Sequence, residues 1–382
     1  MNRQSTRTTS LSTNADLIGI PGGRAQLDTP CLLVELDALK RNISLGAEMV
    51  HAAGKSFSPH LKAHKTPQIA ALQKQAGASG FCVASIGEAE IFAAVSIGPL
   101  TITSAFATDR QIARIAGLAE RGTVLTVVVD HSEIIDRLAR LDVSLSVLVD
   151  IDMGRGRAGC RDERQAISLS KKVLSAKNLT LTGLQCYAGH LSHTNDFKKR
   201  HEDAAQADAR AKSFLEAVGS VTSGPLRCSG GSTGSSLSDL NSSALTDLQW
   251  GSYAVMDVEY NSVENSADGE ALPFENALRV ASRVISTGHE DHVVMDAGDK
   301  RFASKYGAAP RVVCPACNAD GDFRPVSDEH GELRGSMLPG LGCKIEVIPP
   351  HCDPTVNLFD VVHVVDGDTL VDIWPVAARG VY

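Results

Sequence analysis

Two short stretches decide the fold: Val124-Leu125-Thr126-Val127-Val128-Val129-Asp130 and Ser144-Leu145-Ser146-Val147-Leu148-Val149-Asp150. Each is apolar on both alternating faces, as a strand must be when helices cover both sides of a parallel sheet. The segment between them, Glu133–Leu141, reads as a helix. Ahead of them, Asp109–Arg121 sets Ile112, Ile115, Ala116 and Ala119 at spacings of three and four, which is one buried helical stripe. Working outward, the same alternation runs from about residue 35 to 255. Further strands are expected at 57–62, 80–84, 100–104, 179–187, 225–229 and 248–254. Helices are expected at 36–53, 67–76, 87–97, 164–175 and 198–218. Eight strands with helical crossovers are the complement of a closed (β/α)8 TIM-type barrel, favoured here over an open doubly wound sheet.

Beyond residue 270 the pattern changes. Ala277–Ser286, His292–Gly298, Cys343–Pro350 and Val361–Trp374 read as strands with few helices between them. Asp366-Gly367 joins two alternating segments and signals a hairpin. The expected organisation is a partly disordered N-terminal tail (1–27) able to add to the β-domain, a barrel (28–270), and a C-terminal antiparallel β-domain (271–382).

The chain of 382 residues carries 37 basic and 45 acidic side chains, a net charge of −8. With the charges spread along it, no surface suited to tracking nucleic-acid phosphates is expected. No apolar run approaches the roughly 20 residues of a membrane helix. The first residues lack a hydrophobic signal core, and a frayed tail is favoured over a transit peptide. Nine scattered cysteines fit reduced thiols, hence a cytoplasmic protein. Only Cys314-Pro315-Ala316-Cys317 has redox or zinc spacing. Without a second such pair it reads as loop packing.

Barrel enzymes build their sites at the C-terminal ends of the strands. The first strand runs into Ser58-Pro59-His60-Leu61-Lys62-Ala63-His64-Lys65-Thr66. A lysine partly desolvated in a barrel mouth has a lowered pKa suited to Schiff-base chemistry. Taken alone, the same residues could be a basic turn that binds anions. The seventh strand runs into Ser229-Gly230-Gly231-Ser232-Thr233-Gly234-Ser235-Ser236, a phosphate cradle by composition, and Gly251-Ser252-Tyr253 after strand eight adds donors. The cradle lacks the lysine of a P-loop, which argues against a nucleoside triphosphate. A strand-end lysine with phosphate donors across the barrel points to pyridoxal phosphate.

After the fifth strand comes Asp152-Met153-Gly154-Arg155-Gly156-Arg157-Ala158-Gly159. Together with Pro59-His60-Leu61-Lys62-Ala63-His64-Lys65, it resembles the fold-type III pyridoxal-phosphate enzymes, the alanine racemase-like barrels. The match narrows toward their D-threonine aldolase and D-serine dehydratase branch. Asp28–Leu32, Gly183–Gly189, Gln249–Tyr253 with Met256-Asp257, Ser327–Gly331 and Trp374–Gly380 extend the resemblance over about residues 28 to 382. It implies that Lys62 bonds the cofactor, that Arg157 lies near its phenolic oxygen and that Tyr187 sits beside its ring. Thr233, Gly234, Gly251, Ser252 and Tyr253 then resemble the phosphate and ring environment. Racemases carry an arginine where Gln249 stands, so the ring nitrogen would meet a neutral partner and a racemase is disfavoured. Family members are homodimers, which is the expectation here.

Pro349-Pro350-His351-Cys352-Asp353-Pro354 raises a metal. On an extended segment His351 and Asp353 point one way and Cys352 the other. The pair resembles the metal ligands of D-threonine aldolases, where dehydratases have His-x-Cys. Imidazole plus carboxylate suits Mn2+ or Mg2+, and thiolate would favour Zn2+. The implied activity is cleavage of a small D-3-hydroxy amino acid, D-threonine or D-3-hydroxyaspartate, to glycine and an aldehyde. His193 is the candidate base, with metal-bound water as its rival. The alternatives are a D-serine or D-3-hydroxyaspartate dehydratase, or a non-catalytic cofactor carrier, which the β-domain argues against. Ser58, where relatives have arginine, and Tyr306, where they have aspartate, put substrate preference in doubt.

Overall fold

The computed structural model describes residues 13–303, 307–313 and 320–382, with the side chains of His193 and Asp320 outside that description. Chain order begins with β1 (Cys31–Glu35), β2 (Ser56–Phe57), β3 (Phe81–Val83), β4 (Leu100–Ile102), β5 (Leu125–Val129), β6 (Leu145–Asp150), β7 (Leu179–Cys186), β8 (Arg227–Gly230) and β9 (Asp247–Leu248). Strands β2 to β9 form an eight-stranded parallel sheet in the order β2-β9-β8-β7-β6-β5-β4-β3. Its two ends meet where the Cys82 N–H donates to the Pro59 carbonyl at 2.9 Å, closing the barrel. Every helix expected between these strands is present, for example Asp109–Glu120 with Ile112 and Ile115 buried on its inner face.

Strand β1 hydrogen-bonds not into the barrel but into the second sheet, between the later strands of the chain. The barrel polypeptide proper therefore begins with the helix Leu36–Ala52. The second sheet is completed by β10 (Leu278–Ser286), β11 (Val293–Met295), β12 (Arg311–Val313), β13 (Asp320–Pro325), β14 (Gly331–Met337), β15 (Lys344–Ile348), β16 (Val361–Asp366) and β17 (Thr369–Pro375). The Asp366-Gly367 hairpin is there, Gly367 at φ 57° turning β16 into β17.

Two local features position the mouth. Gly183 stands where β7 shifts register against β6, and a Cβ there would lie 1.8 Å from the Arg227 carbonyl oxygen, so only glycine lets β8 approach. Under the first strand, Phe57 packs against Trp250 and Tyr253 at ring-centroid distances of 5.7 and 5.3 Å, and Phe274 closes the cluster 5.6 Å from Tyr253. All four rings are buried. They join β2 and the turn after β9 to the segment that leads into the β-domain. Phe57→Ala should cost about 3–5 kcal/mol, read as a lower denaturation midpoint at unchanged slope. A loss below about 1 kcal/mol would show that the cluster is not a core.

Candidate active site

Past Phe57 the first strand gives up its ladder. Ser58 and His60 still donate backbone N–H bonds to Leu248 and Trp250 carbonyls (2.9 and 3.0 Å), and the chain then coils into the 3-10 turn Leu61–Ala63. That turn sets Lys62 at a cavity of about 400 Å3 whose walls include Arg155, Arg157, Tyr187, Thr233, Gln249, Gly251, Ser252, Tyr260, His351 and Asp353. Of the four basic residues in this stretch, His64 is buried, its Nε2 3.3 Å from Gln73 Oε1, and burial pushes its pKa down to about 4. Lys65 is tied to Glu88 at the cavity edge. Its ammonium also lies 3.4 Å from the Ala378 carbonyl of the β-domain, whereas Lys62 meets a β-domain carboxylate, its Nζ 3.5 Å from Asp353 Oδ2.

The lowered lysine pKa expected from desolvation is not found. Burial works in that direction, but the Asp353 carboxylate outweighs it and holds the Lys62 ammonium above the ordinary lysine range. Reciprocally, burial disfavours the Asp353 carboxylate, yet Lys62 and His351 hold it below the ordinary range.

The loop after β6 is folded around Asp152, whose Oδ1 accepts the Gly154 and Gly156 N–H groups at 3.0 Å each. Glycines at φ 98°, 66° and 104° (Gly154, Gly156, Gly159) let it turn back, presenting Arg155 and Arg157 to the cavity. The Arg157 guanidinium lies 5.8 Å from the Tyr187 ring centre. Neither arginine has a carboxylate partner among the described residues.

Opposite, the glycine loop after β8 is organised by Asp239. Its Oδ2 accepts from the Ser232 N–H (2.9 Å), Ser235 Oγ (2.9 Å) and Trp250 Nε1 (3.0 Å). Two 3-10 turns follow, Thr233–Ser235 and Ser252–Ala254, cross-linked by the Tyr253 N–H to Thr233 Oγ1 at 2.9 Å. The first amides of each turn have no carbonyl of their own turn to bond. Thr233, Gly251 and Ser252 line the cavity. Gly234 packs on Ser192, where a Cβ would lie 2.6 Å from its carbonyl oxygen. Tyr253, expected in the phosphate and ring environment, does not line the cavity, and its N–H is committed to Thr233. Its ring is buried in the Phe57 cluster and its hydroxyl accepts from Gln73. His193 ends the turn Leu191–His193, and its side chain, like Tyr306 and the Cys314–Cys317 pair, lies outside the described residues.

The His351 segment is extended only as far as His351. Cys352–Val356 is a short helix, so the two-residue alternation expected there stops. Orientation comes instead from Asp257, which the sequence reading gave no role. Its Oδ1 accepts from the Tyr260 N–H (2.8 Å) while Oδ2 accepts from the Cys352 N–H (2.8 Å) and lies 3.0 Å from His351 Nδ1. An accepting carboxylate puts the imidazole proton on Nδ1 and turns Nε2 outward. Burial disfavours the charged ring, but the Asp257 bond outweighs it and raises the His351 pKa. Donor atoms of Asp257, His351 and Cys352 lie within 4.8 Å of one another. Asp353 Oδ1 is 3.1 Å from Ser252 Oγ and 3.4 Å from Cys352 Sγ. The signal for Asp257 was an aspartate opening a short helix, a capping position.

These features define a class, and comparison with known proteins gives the same one. Residues 34–268 match the family model of the alanine racemase N-terminal domain, and residues 277–365 match a serine dehydratase domain. The chain belongs to this family of fold-type III pyridoxal-phosphate enzymes. Within it, 3-hydroxy-D-aspartate aldolase of Paracoccus denitrificans (strain Pd 1222) is 34% identical over 96% of both chains. D-threonine aldolase of Arthrobacter sp is 32% identical over 93% of this chain and 94% of that one. The crystal structure of D-threonine aldolase from Filomicrobium marinum superposes with a TM-score of 0.87 at 33% identity, covering 93% of this chain and 97% of that one.

Removing the hub of the glycine loop gives a direct test of its design. Asp239→Ala strands two buried donors, the Ser232 N–H and Trp250 Nε1, and should cost about 2 kcal/mol or more in urea unfolding. A change below about 1 kcal/mol would mean the loop holds its shape without Asp239.

Proposed function

We propose that this protein is a pyridoxal 5'-phosphate- and divalent-metal-dependent lyase that cleaves D-3-hydroxy amino acids, D-3-hydroxyaspartate or D-threonine, to glycine and an aldehyde. The observation that carries the reading is the meeting of Lys62, from the barrel, with Asp353 and His351, from the β-domain, at one cavity. The aldolase relatives support it, sharing more of the sequence than D-threo-3-hydroxyaspartate dehydratase of Delftia sp. (strain HT23) does.

The residues fit both groups the reading needs. A lysine amine faces two turns whose Thr233, Gly234 and Ser252 N–H groups bond no acceptor among the described residues, as a phosphorylated aldehyde requires. The cofactor, when bound, supplies an electron sink for the bond being broken. His351 and Asp353 are the proposed metal ligands, an imidazole and a carboxylate suited to Mn2+ or Mg2+. A metal there supplies positive charge that lowers the pKa of the substrate's 3-hydroxyl.

The chain's own side chains do the rest. Without cofactor, Asp353 holds Lys62 as an ammonium, so bonding the cofactor requires that proton to leave. Arg155 and Arg157, without carboxylate partners among the described residues, draw in an acidic substrate, most strongly one with a second carboxylate. Tyr187 and Tyr260 wall the cavity, and Gly380, Val381 and Tyr382 rim its mouth. His193 is proposed to take the hydroxyl proton. An eliminating reaction on the same residues, with Lys62 removing the α-proton, is the second reading. It is favoured by the Cys352 thiol beside Asp353. A cytoplasmic homodimer belongs to the same proposal, and no described helix is long and apolar enough to cross a membrane.

Product analysis separates the readings. D-threonine and D-3-hydroxyaspartate should give glycine plus aldehyde, with turnover lost to chelator and restored by Mn2+. Ammonia plus a keto acid would identify a dehydratase. For the metal site, Asp257→Asn should weaken Mn2+ binding about 10- to 100-fold by titration calorimetry while the cofactor absorbance stays unchanged. Unaltered affinity would remove Asp257 from the site's support.

A further inference from the structure

A second cavity of about 80 Å3 adjoins the first and shares His60, Lys62, Ala84, Arg157, Tyr187 and Gln249 with it. Its other walls are Thr103, Ser104 and Gln185. Gln185, 1% exposed at the end of β7, has a fixed amide. Its Nε2 donates to Asp150 Oδ1 (2.9 Å) and to the Thr103 carbonyl (3.1 Å). A main-chain carbonyl can only accept, as can the ionised carboxylate, so the amide cannot be the other way round. Its Oε1 is buried and has no donor among the described residues. A lone acceptor this deep is costly unless a ligand satisfies it.

Gln249 is fixed by a longer chain. Its Nε2 donates to Ser229 Oγ at 2.8 Å, and the Ser229 hydroxyl donates in turn to Asp247. Asp247 is anchored by Arg227 Nη2 and by Ser58 Oγ, both at 2.6 Å. Because the serine proton is committed to the carboxylate, Ser229 can only accept from Gln249. The Gln249 carbonyl oxygen is therefore the end left for the cavity. Gln185 and Gln249 flank β8 from either side.

We propose that the Gln185 and Gln249 amides, turned oxygen-first by Asp150 and by the Asp247–Ser229 relay, hold the cofactor's ring nitrogen in its protonated form. This rests on the reading of Lys62 as the cofactor lysine. In pyridoxal phosphate the ring nitrogen is para to the ring carbon that carries the lysine-bonding aldehyde. A carbonyl oxygen can bond that nitrogen only when it carries a proton, whereas a guanidinium there would bond only the bare nitrogen. Protonation makes the ring a stronger electron sink. Asp150 and Asp247 are positioning residues, because they act through the glutamines. The charged groups facing the same cavity, Lys62 and Arg157, oppose protonation. His60 adds no charge: burial, then Lys62, pushes its pKa well down, and its Nε2 lies 3.1 Å from Thr103 Oγ1.

The test is the 15N chemical shift of the holoenzyme reconstituted with ring-15N pyridoxal phosphate, followed over pH. The wild-type protein should show a pyridinium shift at neutral pH. Gln249→Arg should move it to the free-pyridine position, and Gln185→Leu should lower the titration midpoint by about one pH unit or more. Gln249→Met serves as a second variant should the arginine not be accommodated, with the same direction of shift. A free-pyridine signal in the wild type, with cofactor absorbance that survives dialysis and is lost in Lys62→Ala, overturns the inference alone. A pyridinium signal untouched by any of these substitutions overturns the assignment to these amides. Absorbance retained in Lys62→Ala overturns the underlying reading and the inference with it.

Discussion

A single buried carboxylate, Asp257, holds the two halves of the site together. It caps the short helix Val258–Asn261 that follows the barrel, and it takes the Cys352 N–H and the His351 ring from the β-domain. Backbone bonds from Val258 and Glu259 to the Pro349 and Pro350 carbonyls run alongside. These contacts set Asp353 facing Lys62. The Ser252 hydroxyl, 3.1 Å from Asp353 Oδ1, adds a second tie between a barrel turn and the β-domain carboxylate. The distance between Lys62 and Asp353 matters because an ion pair at 3.5 Å governs the protonation of both groups.

The rest of the site repeats this logic of one carboxylate organising several donors. Asp152 shapes the arginine loop, Asp239 the glycine loop, and Asp247 the Gln249 side of the inner cavity. Ser58 belongs to the last of these. Its small hydroxyl donates to Asp247 at 2.6 Å. The departure noted in the sequence thus leaves a hydrogen-bonded group and not a void.

The barrel was legible because its strands are apolar on both faces and its helices keep one stripe, patterns that burial alone imposes. The second sheet was half legible. β10 and β15–β17 alternate, whereas β13 (Asp-Gly-Asp-Phe-Arg-Pro) and β14 (Gly-Glu-Leu-Arg-Gly-Ser-Met) carry charges and glycines and show no period. Strand β1 read as barrel because it precedes a barrel helix, and only long-range pairing with β10 and β16 places it elsewhere. Lys62, Arg157, Tyr187, Thr233, Gly251, Ser252, His351 and Asp353 were all named from motifs, and the fold brings them to one cavity. The roles of Asp257 and Gln185 were not legible. Both depend on which partner each polar atom meets across the fold, and residue order does not carry that information. The raised Lys62 pKa escaped for the same reason, since Asp353 is remote in sequence.

The central claim is that Lys62 carries the cofactor, and one measurement addresses it. Borohydride reduction of the holoenzyme followed by peptide mass mapping should place the pyridoxyl label on the peptide containing Lys62. Label on Lys65 or any other lysine, or no covalent label at all, would contradict the account.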